Sequence, residues 1–364
     1  MQIMKISRLL ATSAIILSLV VQSAYSSNNS VYVDQIGNND SADIDQTGNN
    51  NTAGTSTHHL LQKGDHAKLT IGQNGNNNIV ETSKISGVQY GVQSGNYDTA
   101  TITQGSGPNA SNYAEAFLRQ AGDHENAKIT QYGGSISSYN IATINQTYST
   151  GYDHATITQN GNDGHGKNTA TITQNDDTRS TAKIIQTNSG NDSASIYQDG
   201  DHDKSTVTQT GDSNTAYVRQ HGNYDHAEIS QSGSNNTGSQ TQNNDNEFAY
   251  LLQSGSWESA NVTQNGTDDH SNVIQSGNNN SVSVLQNGNS DHSTINQSGS
   301  YNVANVTQGG NGNYSDITQS GTSDQATVNQ SGNNNHTTII QTGTGDHIGI
   351  TQTGNAGHVT ITQH

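Results

Sequence analysis

Hydrophobic residues are sparse in this chain, and within short runs they fall at every second position. In Asp225-His226-Ala227-Glu228-Ile229-Ser230-Gln231, the residues Ala227, Ile229 and Gln231 alternate with His226, Glu228 and Ser230. A period of two puts the first set on one face of a β-strand and the second on the other. Ser232-Gly233-Ser234-Asn235 follows. Glycine there permits positive φ, and Ser and Asn close bends on their own backbone. This strand-and-turn unit returns every eleven residues from Gln198 to Gln363, through fifteen intervals. Self-similarity at a fixed short period is the signature of a solenoid.

One strand and one turn only reverse the chain, so two units are needed to close a coil of 22 residues. The position five before each glutamine supports that doubling. Along one parity it reads His226, Phe248, His270, His292, Tyr314, His336, His358; along the other, Thr215, Thr237, Ser259, Ser281, Val303, Gln325, His347. Alternate units therefore belong to opposite sheets. The predicted fold is an all-β, two-sheeted β-solenoid that becomes cross-β on assembly. About 14 coils at ~4.8 Å would make a rod of about 65–70 Å.

Each strand turns inward one Ile, Val or Leu, one Ala or Ser, and one Gln. An unpaired buried amide costs ~1–3 kcal/mol. Identical amides stacked in register avoid that cost by donating to one neighbouring coil and accepting from the other. The expected ladder is Gln198, Gln209, Gln220, Gln231, Gln253, Gln264, Gln275, Gln286, Gln297, Gln308, Gln319, Gln330, Gln341, Gln352 and Gln363. Asn214, Asn236, Asn280 and Asn302 flank it at the corner, and Ile229, Ile295, Ile317, Ile339, Ile350 and Ile361 supply dry contact. Gln240 interrupts the aliphatic row between Val218 and Val262. Glu247, Asp269 and Asp291 share one position in three successive coils. Repulsion between such neighbours should raise the pKa of the most buried acid. Growth of any assembly should then quicken on acidification through the carboxylate range, or with Ca²⁺.

Before Gln198 the period loosens. Repeats end at Gln35, Gln46, Gln62, Gln73, Gln104, Gln120, Gln131, Gln146, Gln159, Gln174 and Gln186, and either Gln89 or Gln93 holds the register between. Extra residues fall at turns, as in Gly105 to Ser111 and Asp163 to Lys167. The expected division is a leader at 1–26 and one repeat domain at 27–364, irregular over 47–186 and regular over 187–364. In the leader, Lys5 and Arg8 precede the apolar run Leu9 to Val21, and Ala24-Tyr25-Ser26 suits a cleavage site. A secretory signal peptide is the expectation, since a membrane span needs ~20 apolar residues.

Composition narrows the class further. Only 27% of residues are hydrophobic and 12% charged, too few apolar groups for a conventional core. Formal net charge is −18, and removing Lys5 and Arg8 with the leader takes it to −20. Nucleic acid and anionic lipid are unsuitable partners, and no membrane insertion is expected. The chain has no cysteine, so no disulfide contributes. Pro108 is its only proline, so almost nothing interrupts strand pairing. The pattern runs from Asn29 to Gln363 with no recognisable cap, so both end faces are expected to template a second copy.

The repeat resembles that of the curlin family, the secreted amyloid subunits of curli fibres. The family pattern is roughly Ser-x5-Gln-x-Gly-x2-Asn-x-Ala-x3-Gln. Gln46-Thr47-Gly48-Asn49-Asn50-Asn51-Thr52-Ala53 fits it, as does Gln209-Thr210-Gly211-Asp212-Ser213-Asn214-Thr215-Ala216-Tyr217-Val218-Arg219-Gln220; Ser232-Gly233-Ser234-Asn235 fits in part. The resemblance implies bacterial export through a curli-type outer-membrane pore, assembly on a nucleator subunit, and a cell-surface fibre serving biofilm and adhesion. No long Gly-rich stretch of the kind that targets major subunits for secretion precedes the first repeat. Major subunit and nucleator both stay open.

Other chemistries are weaker. Thr-x-Thr pairs such as Thr156-x-Thr158 suggest an ice-binding face, but matching positions read Glu228/Ser230, Tyr250/Leu252 and Asn272/Ile274. The histidine stripe could share Zn²⁺ or Cu²⁺, yet lacks a fixed, enclosed ligand set. The recurring Asp-His pairs and serines belong to the repeat, so no catalytic triad stands apart and no cofactor is implied. A monomeric, capped solenoid adhesin is the main alternative to a fibre subunit.

Overall fold

The structure is a computed structural model. It describes residues 16–18, 28–56, 58–82, 92–105, 111–132, 139–147, 151–161, 166–176 and 178–364. Of the leader, only Ile16–Ser18 is described, as a short strand parallel to Ser41–Asp43. Pro108, Gln89 and most of the two turn insertions lie outside the described residues. No helix is present among the described residues, so none is long and apolar enough to cross a membrane. The chain divides into two units, residues 1–199 and 200–364.

The second unit consists of two parallel sheets whose strands alternate along the chain. One holds Lys204–Asp212, His226–Ser234, Phe248–Gln253, His270–Gln275, His292–Gln297, Tyr314–Gln319, His336–Gln341 and His358–Gln363. The other holds Thr215–Gln220, Thr237–Gln242, Ser259–Gln264, Ser281–Gln286, Val303–Gln308, Gln325–Gln330 and His347–Gln352. Each residue pairs with its equivalent one coil away, as in His270 with His292 and Gln275 with Gln297. Strand burial alternates as the period of two requires: Ala227, Ile229 and Gln231 are sealed, while His226, Glu228 and Ser230 stay partly exposed. The core is one layer of aliphatic and amide side chains between the two sheets.

The first unit repeats this plan less evenly. Successive glutamines of one sheet lie 24 to 31 residues apart rather than 22. Gln93, not Gln89, holds the uncertain register: it accepts from Gln62 at 2.7 Å and donates to Gln120 at 3.1 Å.

Turns stack as tightly as strands. A β-carbon on Gly266 would lie 1.4 Å from the carbonyl oxygen of Gly288, and one on Gly288 would lie 1.7 Å from that of Gly310. Close approach, rather than φ, demands glycine at these positions. Gly266→Ala should therefore cost ~3 kcal/mol or more, because relief requires separating two hydrogen-bonded layers. Chemical denaturation measures this, with Gly349→Ala as the control: nothing lies within 4 Å of that position.

The residue seven before most ladder glutamines is left-handed, and in the first unit a ring often occupies it. Tyr97 stacks on His66 at 4.7 Å and on His124 at 5.0 Å, and His124 stacks on Tyr152 at 4.8 Å. Their φ values are 60° to 71°. That conformation costs a non-glycine residue ~1–2 kcal/mol. Stacking returns ~0.5–1.5 kcal/mol per pair.

Gln240 also finds a partial account. It is fully buried, and its Nε2 donates to the Glu228 carbonyl of the facing sheet at 3.1 Å. Gly238 takes the usual alanine position beside it, where a β-carbon would meet Leu251 at 2.7 Å. Two substitutions of opposite size thus share one layer.

Candidate functional site

The axial column of glutamines is the most ordered polar feature of the molecule. In the second unit, Nε2 of each glutamine donates to Oε1 of the next in its sheet. Gln209 to Gln231 is 2.9 Å, Gln231 to Gln253 2.8 Å, Gln253 to Gln275 2.9 Å, Gln275 to Gln297 2.9 Å, Gln297 to Gln319 2.8 Å and Gln319 to Gln341 2.9 Å. In the facing sheet the column runs Gln220, Gln242, Gln264, Gln286, Gln308, Gln330, Gln352, at 2.9 to 3.1 Å. The other Nε2 hydrogen crosses to the opposite sheet, as from Gln231 to the Thr215 carbonyl at 2.9 Å and from Gln275 to that of Ser259 at 3.1 Å. Each such amide thus uses both donors without water. Gln198 belongs to the first unit, where it accepts from Gln174 at 3.0 Å.

Every bond in the column points the same way, from the earlier residue to the later. The last coil shows what this leaves behind. Gln341 donates to the part-exposed Gln363 at a long 3.4 Å. Gln352, only 8% exposed, has no partner for its Nε2. The strands His347–Gln352 and His358–Gln363 each pair on one side only.

The predicted isoleucines divide between the sheets. Ile229, Ile295, Ile317, Ile339 and Ile361 lie in one row, and Ile350 lies in the facing row with Val218, Val262 and Val328. All are buried except Ile361, in the last coil.

The corner residue sits six before each glutamine. Its side-chain oxygen accepts the backbone N–H of the next corner, as Asn214 does from Asn236 at 3.1 Å and Asn280 from Asn302 at 3.0 Å. In this sheet an asparagine adds a second bond: Nδ2 of Asn236, Asn280 and Asn302 donates to the carbonyls of Gly255, Gly299 and Gly321 at 3.0, 3.0 and 3.2 Å. Glu247, Asp269 and Asp291 occupy this position in the facing sheet. So do Asp203 and Asp225, which extend the acidic run to five consecutive coils. At the opposite corner Glu258 interrupts the asparagines, and Asp324 and Asp346 follow Asn302. Asp203, Asp225 and Glu258 were legible by the same six-residue offset.

Structure changes the cause of their titration. Repulsion was the expected source; burial is the larger one. All five acids are 0–1% exposed. Desolvation raises Asp203 to about 8, Asp225 to about 7, Glu247 to about 9, Asp269 to about 7 and Asp291 to about 6. The Asp225 charge adds to the rise at Glu247, but neighbouring charge adds nothing resolved at Asp291, whose hydrogen bonds from Asn313 and Gly288 pull it down. Glu258 also reaches about 7, through burial. These corner carboxyls are shielded from bulk solvent.

On the outer face, His270 and His292 stack at 4.8 Å, while His336 and His358 meet edge to face at 4.9 Å. Among the described residues no group of three His, Cys, Asp or Glu could hold a metal ion.

Parallel coils of two sheets, joined along the axis by one-directional amide columns, define a two-sheeted β-solenoid. Residues 190–222, 277–310 and 310–343 each match the family model of the curlin associated repeat. These stretches carry the curlin associated repeat, whose family is structural rather than catalytic. No curated protein matches it.

Proposed function

We propose that this protein is a secreted structural subunit that self-assembles head-to-tail into extracellular, curli-like amyloid fibres for biofilm matrix and surface adhesion. The observation that carries the reading is the one-directional amide column, in which Gln352 accepts from Gln330 and its own Nε2 finds no acceptor among the described residues. Gln352 keeps a buried donor without an acceptor, an expensive arrangement in a folded monomer at ~1–3 kcal/mol. A second copy answers it if its first coil presents glutamine Oε1. Gln35 and Gln46, first in their columns, have that polarity, since each donates to the following glutamine. Two C-terminal edges would oppose donor to donor, so stacking is head-to-tail. A curli-type secretion pore and a nucleator subunit are the partners this assignment calls for, and neither nucleic acid nor membrane is among them.

Incubating the mature chain at neutral pH should give rising thioflavin fluorescence and, in fibre diffraction, the ~4.8 Å and ~10 Å spacings of cross-β. A chain that stays monodisperse and never seeds a fresh solution would be a solenoid adhesin instead.

A further inference from the structure

The rings of two exposed aromatic residues stack on no other ring among the described residues. Trp257 and Tyr301 are 63% and 60% exposed and adopt φ of 61° and 60°. Bulky side chains are unfavourable in that conformation. At the equivalent position of the first unit, Tyr97 and Tyr152 recover the loss by stacking on His124, which lies between them. Trp257 and Tyr301 are likewise two layers apart, roughly 9–10 Å at the strand spacing. The layer between them holds Asn279, with the same left-handed φ of 58°. Asn279 is exposed, and its side-chain amide makes no hydrogen bond among the described residues. No ring partner is found there for Trp257 or Tyr301 either. The pair is thus a Tyr97–His124–Tyr152 column with its middle ring missing and an amide in its place.

We propose that Trp257 and Tyr301 form a slot for one sugar ring of a neutral glycan, with Asn279 as its polar floor. A pyranose offers C–H faces to both aromatic walls, and its hydroxyls suit the Asn279 amide and the neighbouring Ser256, Asn278 and Ser300. A planar apolar ring would leave those groups unused. A net charge of −18 disfavours polyanions. The slot extends the adhesive reading and requires no self-assembly; in a fibre it would recur once per subunit and act multivalently.

Trp257 is the only tryptophan of the chain and reports on its own site. Titrating freshly prepared, unassembled full-length chain with cellohexaose should give a saturable blue shift of its emission. Asn279→His fills the slot with a ring, as His124 does, at a φ that His66, His124 and His202 already adopt. Tyr301→Ala removes one wall and keeps the reporter. Each should weaken binding about tenfold or more, the worth of one ring contact, with far-UV circular dichroism unchanged. Absence of a saturable shift, or undiminished binding by either variant, would overturn the assignment. So would saturation by free indole where cellohexaose has no effect. Fibre formation is scored separately by thioflavin, so either reading can fail alone.

Discussion

Gly354→Ala should leave the chain folded and stop the proposed head-to-tail growth into fibres. Gly354 ends the row Gly266, Gly288, Gly310, Gly332, in which every β-carbon would strike the carbonyl of the coil above. On Gly332 it would lie 1.9 Å from the Gly354 oxygen. On Gly354 itself nothing lies within 4 Å, and its φ is outside the left-handed range. Alanine there should change monomer stability by less than ~0.5 kcal/mol. Once a second copy stacks in register, its Gly37, first of the equivalent row, brings a carbonyl to that point. The clash should weaken each docking step by ~3 kcal/mol, or roughly a hundredfold. Thioflavin kinetics seeded with wild-type fibres measure growth, and denaturant titration measures folding. Growth at the wild-type rate would mean that copies do not continue the coil.

Stability and growth should both rise as pH falls from about 9 to about 4. A carboxyl whose folded pKa exceeds its unfolded value is no burden below the unfolded value, near 4, where both states are protonated. Above that, the unfolded chain ionises while the buried group does not, and native stability falls until pH passes the folded pKa. For Asp291 that window closes at about 6; for Asp203 and Glu247 it extends to about 8 and 9. Asp291 alone, about two units up, is worth ~3 kcal/mol across its window. The response therefore reaches well above the ordinary carboxylate range. A proton reaches side chains this buried far more readily than hydrated Ca²⁺. The combined variant Asp225→Asn, Glu247→Gln, Asp269→Asn, Asp291→Asn should flatten the pH profile and raise stability at pH 8. A wild-type profile level between pH 5 and 8, or a variant profile as steep as the wild type, would refute this account.

Much of this was legible without coordinates. Alternation of Ala227, Ile229 and Gln231 with polar neighbours announced the strand, and parity at the position five before glutamine announced two sheets, because both periods are local. Recurrence of glutamine implied a ladder, since a buried amide row has few other solutions. Irregular turns hid the register near Gln93, where spacing alone could not separate two glutamines four residues apart.

Period and residue type, both properties of the chain itself, determined the strands, the two-sheeted coil and the identity of the ladder. Tertiary stacking alone decided the rest: that Gly266 must lack a β-carbon, that burial outweighs repulsion at Asp291, that the amide columns share one direction, and that the Gln352 donor is left over. Each of these depends on atoms in adjacent coils coming within a few ångströms, and that distance is set only when the layers close.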